Sequence, residues 1–162
     1  MSKRKFNKES YDAYDYKAKG KLKEIIEKNS EYELLGTLDI EYYKECDIKF
    51  INKKTHKQVF FENEVRGNFD KIINDFITIH IPIRKKNTLA NFYLVWNGDL
   101  TQFILIKRKT LRKYINNLVT IPCNEHIHDG KYFYIEDFID VPKNETQWYV
   151  IGENYKLIKL DY

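Results

Sequence analysis

Residues 47–66 read DIKFINKKTHKQVFFENEVR, and their reading decides the fold. Two segments of alternating apolar and polar residues, ECDIKFIN (45–52) and VFFENEVR (59–66), flank the polar run KKTHKQ (53–58). Period-two alternation marks a half-buried strand, and a polar turn between two such runs predicts an antiparallel hairpin. The alternation sets Asp47 and Lys49 on one face of the first strand, and Glu62, Glu64 and Arg66 on one face of the second. A loop of four residues at 53–56 pairs Asn52 with Lys57, which sets Asp47 opposite Glu62 and Glu45 opposite Glu64. A register shifted by two sets Asp47 opposite Glu64 instead. Either way, three carboxylates share one face of the hairpin. Like charges facing each other destabilise a sheet. A cation is therefore expected among them. It is either bound Mg²⁺ or Mn²⁺, which take hard oxygen ligands, or the neighbouring Lys49 and Arg66.

Upstream, residues 10–29 predict a helix. Tyr11, Tyr14, Ala18, Leu22, Ile25 and Ile26 form an apolar stripe at helical spacing, with Ser10 as N-cap. Residues 1–9 read as a flexible basic arm. YELLG (32–36) and LDIEYY (38–43) alternate loosely, as strands do. Downstream, NFDKIINDF (68–76) predicts a short helix. TIHIPIRKKN (78–87) has strand alternation, and Pro82 pushes it to a sheet edge. NFYLVW (91–96) is nearly continuously apolar, as a strand buried on both faces is. Asn97-Gly98 signals a tight turn, and QFILIK (102–107) the returning strand. TLRKYINNL (110–118) predicts a helix; KYFYI, QWYVI and KLIKL predict short strands. The order helix, three strands, helix, strands describes a mixed α/β domain with one layer of sheet and flanking helices. The core is expected over 10–120, with a β-rich extension, 121–162, packed on it.

Composition narrows the function. The chain has 162 residues, 43% of them hydrophobic, enough for one compact domain with a real core. No run approaches the ~18 apolar residues of a membrane span. The basic opening MSKRKFNKES is followed by no apolar segment, so a secretory signal is not expected. Two cysteines, Cys46 and Cys123, are too few for a disulfide scaffold and point to a reducing, cytoplasmic setting. All three serines precede the predicted sheet core, which argues against a serine-nucleophile hydrolase. The net charge of +4 is segregated. Residues 31–75 carry net −3 and residues 76–120 carry net +7, between a basic N-terminal block and an acidic C-terminal one. Carboxylates to hold a cation beside a basic surface to hold phosphates is the balance a metal-dependent phosphodiesterase needs.

Asp47, a turn, then Glu62-Asn63-Glu64 on the next strand resembles the PD-(D/E)XK nuclease superfamily, the restriction-endonuclease-like fold. The preceding helix and the order αβββαβ are similar to that core over roughly residues 10–107. Glu64 stands where the family motif usually has lysine. The resemblance implies hydrolysis of DNA phosphodiesters with Mg²⁺ or Mn²⁺ as cofactor. It assigns Asp47 and Glu62 as metal ligands, with the Asn63 carbonyl contributing. Glu64 would ligate a second metal or orient the attacking water. Without the motif lysine, positive charge at the scissile phosphate must come from Lys49 or Lys85. Many nucleases of this fold act as homodimers, although no dimer face is readable here.

His80, Arg84, Lys85 and Lys86, in HIPIRKK, are candidates for binding DNA phosphates together with Arg66. A second basic cluster spans Lys107, Arg108, Lys109, Arg112 and Lys113. Glu24 and Glu27 on the first helix are candidates for a further acid. Cys123, His126, His128 and Asp129 have zinc-ligand chemistry without a second ligand pair at suitable spacing, and a polar loop is the better account. Two alternatives to the nuclease stand. One is a non-catalytic nucleic-acid-binding module of the same fold. The other is a protein-interaction module using the aromatic, acidic C-terminal part.

Overall fold

The computed structural model describes residues 8–39, 46–66, 78–127 and 130–161. The helix expected at 68–76 and the residues of LDIEYY from 40 onward lie outside them. Among the described residues, α1 (Lys8–Asn29) leads into β1 (Tyr32–Leu34), β2 (Ile48–Asn52) and β3 (Gln58–Arg66). After them come β4 (Thr78–Pro82), a 3-10 turn (Ile83–Lys85), β5 (Phe92–Asn97), β6 (Gln102–Lys107) and α2 (Arg108–Lys113). β7 (Leu118–Ile127), β8 (Gly130–Pro142), β9 (Gln147–Ile151) and β10 (Leu157–Leu160) complete the order. The structure is mixed α/β.

The hairpin forms in the first of the two registers. Ile48 pairs with Phe61 and Ile51 with Gln58, and the Asn52 N–H donates to the Lys57 carbonyl at 2.9 Å. Asn52 nucleates the turn. Its Oδ1 accepts from the Lys54 and Thr55 N–H groups at 3.0 and 2.8 Å, an Asx-type arrangement that replaces a backbone turn. β1, β2 and β3 form an antiparallel run, and β3 then pairs in parallel with β5, Glu62 beside Tyr93. A parallel neighbour demands a long crossover, here residues 67–91 including β4. β5 is buried on both faces, as its apolar run predicts: Leu94 and Trp96 face the α1 side, Tyr93 and Val95 the other. At Asn97 the turn is longer than the expected tight one. Trp96 pairs with Phe103, and Asn97 Oδ1 accepts from the Thr101 and Gln102 N–H groups, both at 2.9 Å.

One layer of sheet was expected, and two are present. The first has seven strands, ordered β1-β2-β3-β5-β6-β9-β10; the second has three, β4-β8-β7. α1 covers one face of the large sheet through Ala18, Leu22 and Ile25, packed with Phe50, Phe61, Leu94 and Trp96. The small sheet covers the other face through Ile79, Ile81, Ile139 and Val141, against Tyr93, Val95, Ile104 and Ile106. Five of the six strands from β5 onward are antiparallel additions that build outward from this doubly covered centre. β4 lies at the edge of the small sheet, as Pro82 requires. The boundary expected at residue 120 falls within β7, and β9 joins the large sheet directly on β6. No helix among the described residues is long and apolar enough to cross a membrane.

Ile139 is fully buried between the sheets, whereas Ile135, four residues earlier on the same strand, is 74% exposed. Ile139→Ala is expected to cost about 2–5 kcal/mol and Ile135→Ala less than about 0.5 kcal/mol. Urea denaturation of the two variants checks this; equal effects would mean that the small sheet does not share the core.

Candidate functional site

The site grows from the end of a strand. Asp47 immediately precedes β2, and its N–H donates to the Phe61 carbonyl at 2.9 Å. Its side chain continues the ladder in place of backbone, because Oδ2 accepts from the Asn63 N–H at 2.7 Å. This carboxylate therefore sits on the strand that carries Glu62. Burial pushes its pKa above the ordinary Asp value. The Asn63 N–H, Lys85 and Lys19 pull it back, and Asp15 adds to the rise.

Glu62 is 5% exposed. Its carboxylate is ion-paired with the Lys85 ammonium, and Thr88 Oγ1 lies 3.4 Å from its other oxygen. Lys85 and Thr88 belong to one turn, closed by the Thr88 N–H on the Lys85 carbonyl at 3.1 Å. Asn63, between the two glutamates, points to the α1 side. Its Oδ1 accepts from Trp96 Nε1 at 2.8 Å, and its Nδ2 is buried with no partner among the described residues.

Glu64 is held elsewhere. Arg66 Nε donates to it at 2.7 Å, and the Tyr93 hydroxyl donates to its other oxygen. Burial, then Glu64, raises the Tyr93 pKa well above its ordinary value, so Tyr93 remains a hydroxyl donor. Arg66 also donates to the His80 carbonyl at 2.6 Å. Burial opposes the Arg66 charge, but the Glu64 carboxylate outweighs it and the guanidinium pKa is raised.

Of the residues expected in the site, the fold thus brings together Asp47, Glu62 and Lys85. Glu64 and Arg66 satisfy each other and tie β3 to β4. Lys49 flanks the pair with Nζ 5.2 Å from the Phe60 ring. Arg84 is bonded to Glu136 at 2.7 Å. His80 Nε2 lies 3.2 Å from Asp140 Oδ1 without hydrogen-bond alignment. Lys86 is exposed. Among the described residues, no group of three or more His, Cys, Asp or Glu side chains is placed to hold a metal ion. Glu27 accepts from the Leu34 N–H at 3.0 Å and pairs with Lys23, which makes it part of the helix–sheet joint. Glu24 lies at 4.0 Å from Lys23 and 3.8 Å from Lys28. The side chains of Cys123 and His126, and all of His128 and Asp129, lie outside the description.

Sequence reading passed over Asp15, Lys19 and Thr88. Asp15 and Lys19 pair at 2.9 Å as an i,i+4 couple on α1, and both act on Asp47. The i,i+4 spacing was readable. The rotation of α1 that turns this couple toward Asp47 was not. Comparison with known protein families, with curated proteins and with solved structures finds no match to this chain.

Two outcomes check this geometry. Arg66→Met leaves the half-buried Glu64 carboxylate with the Tyr93 hydroxyl and without its cation, and is expected to destabilise the fold by about 1–3 kcal/mol. A DNA-contacting arginine on the surface would leave the denaturation midpoint unchanged. Asp47→Asn keeps an acceptor for the Asn63 N–H and removes the buried charge. A raised folded pKa favours folding at low pH, and that contribution is lost as pH rises through it. Asp47→Asn is therefore expected to unfold at a higher temperature than the parent at pH 7, with the advantage shrinking in acid. A lower melting temperature at pH 7 would show that the carboxylate is net stabilising.

Proposed function

We propose that the chain is a divalent-metal-dependent nuclease with a restriction-endonuclease-like core, acting on DNA. One observation carries the reading. Asp47 is bonded to the backbone N–H of Asn63, next to Glu62 on the adjacent strand, and a lysine from a distant turn, Lys85, is ion-paired with Glu62 and acts electrostatically on Asp47. In the resemblance the motif places its lysine two residues beyond the second acid. Here that position is Glu64, and Lys85 supplies the charge instead. The strand order is consistent with the proposed core: one helix, an antiparallel run of three strands, then a crossover to a strand parallel to the third.

The donor set suits Mg²⁺ or Mn²⁺. Mg²⁺ keeps several waters and is commonly bound by one or two carboxylates plus substrate phosphate. Asp47 has one oxygen on the Asn63 N–H, leaving the other for a cation. A carboxylate whose pKa burial has raised gains most from a cation beside it. Asp47 and Glu62 would hold the ion. When bound, it lowers the pKa of its water and stabilises charge on the phosphoryl oxygens. The chain's own contributions are separate. Thr88 and Lys85 orient Glu62, the Asn63 N–H orients Asp47, and the Lys85 ammonium is ion-paired with Glu62. Lys49, two residues from Asp47 on β2, and exposed Lys86, next to Lys85 in sequence, would be available to DNA phosphates.

A second reading has its own support. Lys85 already neutralises Glu62, and no group of three metal-ligating side chains forms among the described residues. A non-catalytic module that binds nucleic acid through the same basic segment would look like this. It predicts salt-sensitive binding independent of divalent ions.

Labelled duplex, single-stranded and branched DNA, incubated with Mg²⁺, Mn²⁺ or EDTA, separates the two. The nuclease reading expects metal-dependent cleavage that falls by about 10²–10³-fold in Glu62→Ala, the scale of several kcal/mol of lost stabilisation. Lys85→Met is expected to slow cleavage and yet tighten Mn²⁺ binding, since Glu62 loses its competing cation. Cleavage of no substrate, with salt-sensitive binding retained in EDTA, would leave the binding module.

A further inference from the structure

We propose that Arg84 and Glu136 are positioning residues: their ion pair fixes the turn after β4 so that the Lys85 ammonium meets Glu62. The consequence for catalysis depends on the nuclease reading above; the positioning itself does not.

The argument starts from where the β4 ladder stops. β4 and β8 pair from Thr78 with Pro142 to Pro82 with Phe138. Proline has no N–H to carry the ladder further. Pro82, at φ −53° and ψ 133°, then turns the chain into the 3-10 turn of Ile83–Lys85. Two residues past Pro82 on one side lies Arg84, and two residues before Phe138 on the other lies Glu136. They occupy the second rung beyond the end of the backbone ladder, in the same register. Arg84 Nη1 donates to Glu136 Oε1 at 2.7 Å, so the attachment between strands continues through side chains where the backbone ladder has ended. Charge-assisted bonds of this length are among the stronger ones. The Glu136 side chain is only 14% exposed, although Arg84 is 63% exposed. The carboxylate is the buried, fixed end of the pair.

Lys85 follows Arg84 directly. A lysine side chain has four rotatable bonds and finds its partner only where its Cα is held. Besides the Thr88 N–H on the Lys85 carbonyl, three contacts hold this turn. Ile83 packs against the core between the sheets. The Lys86 N–H closes the turn on the Ile83 carbonyl at 3.0 Å. Arg84 is tied to β8. Of these, the ion pair is the polar tie from the turn to β8. Burial is the largest single influence and opposes the Arg84 charge, but the bond and charge of Glu136 together with Tyr93 and Glu64 raise the guanidinium pKa. Through this joint, the β7–β8 ribbon is connected to the carboxylate pair, and any load on β8 at residue 136 is passed to Lys85.

The Lys85 ammonium gives a readout independent of activity. An ion-paired, partly buried lysine shows a slowly exchanging ¹⁵N-ammonium resonance, assignable by its loss in Lys85→Met. In the full-length protein this resonance is expected to be present and to broaden or shift in Glu136→Gln and in Glu136→Ala. The charge-swapped pair Arg84→Glu with Glu136→Arg is expected to restore it. Glu145→Gln breaks the exposed Lys113–Glu145 pair and serves as a control that leaves the resonance in place. If the parent cleaves DNA, Glu136→Gln is also expected to lower kcat about tenfold or more with KM changed less than twofold, as misplaced catalytic groups do. A Lys85 resonance unchanged in both Glu136 variants overturns the positioning. A parent protein without metal-dependent cleavage, but with the resonance responding to Glu136, overturns the nuclease reading and leaves the positioning in place.

Discussion

The constraint on which the structure depends is the pair of glutamates on β3. The strand presents Phe61 and Val65 to α1 and, on the opposite face, Glu62 and Glu64 to the small sheet. Carboxylates on a covered face are tolerated only when each is paired and hydrogen-bonded. The crossover from β3 to β5 meets that demand. It returns over the acidic face and brings Lys85 to Glu62 and the His80 carbonyl to Arg66, which in turn holds Glu64. β4 is thus seated by two kinds of force at once. Ile79 and Ile81 anchor it in the apolar core, and the charged contacts on β3 set where along the strand it stops.

Much of this was legible in residues 47–66. Local turn chemistry and alternation gave the register, because Asn52 satisfies the turn N–H groups itself and the next rungs follow by counting. The continuous apolar run of β5 gave its burial on both faces. The small sheet was not legible, because its central pairing joins β4 to β8, about sixty residues apart, and nothing in either segment names the other. Alternation also said less than it seemed to about Glu64. It correctly placed Glu62 and Glu64 on one face, but two residues along a strand are roughly 6.6 Å apart. At that spacing each acid can take its own cation, and Lys85 and Arg66 are supplied separately.

The two glutamates consequently differ in kind. Glu64 is held by Arg66, two residues along its own strand, and by Tyr93 on the neighbouring β5, and Arg66 carries the connection on to the β4 backbone. Glu62 is bonded to a lysine on a turn and to a threonine at long range. The first arrangement is rigid because a guanidinium fork and a tyrosine hydroxyl leave the carboxylate no alternative donor. The second can exchange its partner, because an ammonium on a flexible stem is a point charge that another cation can replace.

Asp47 has the opposite liability. It lies where the β2–β3 ladder ends, so its carboxylate replaces a backbone acceptor and is held by the Asn63 N–H at the expense of its own hydration. Burial dominates its electrostatics. Asp15 and Lys19 from α1 partly cancel each other there, so the helix contributes little net field, and Lys85 becomes the cation that acts on both Asp47 and Glu62. A single lysine is thus shared by two acids on adjacent strands, one fully paired and one under-compensated. Replacing a buried ion pair with well-packed apolar residues is often neutral or stabilising, so this arrangement is not explained by stability alone. Its position where a ladder ends, beside a turn tied to β8 by an ion pair, is the physical basis of the proposed site at Asp47, Glu62 and Lys85.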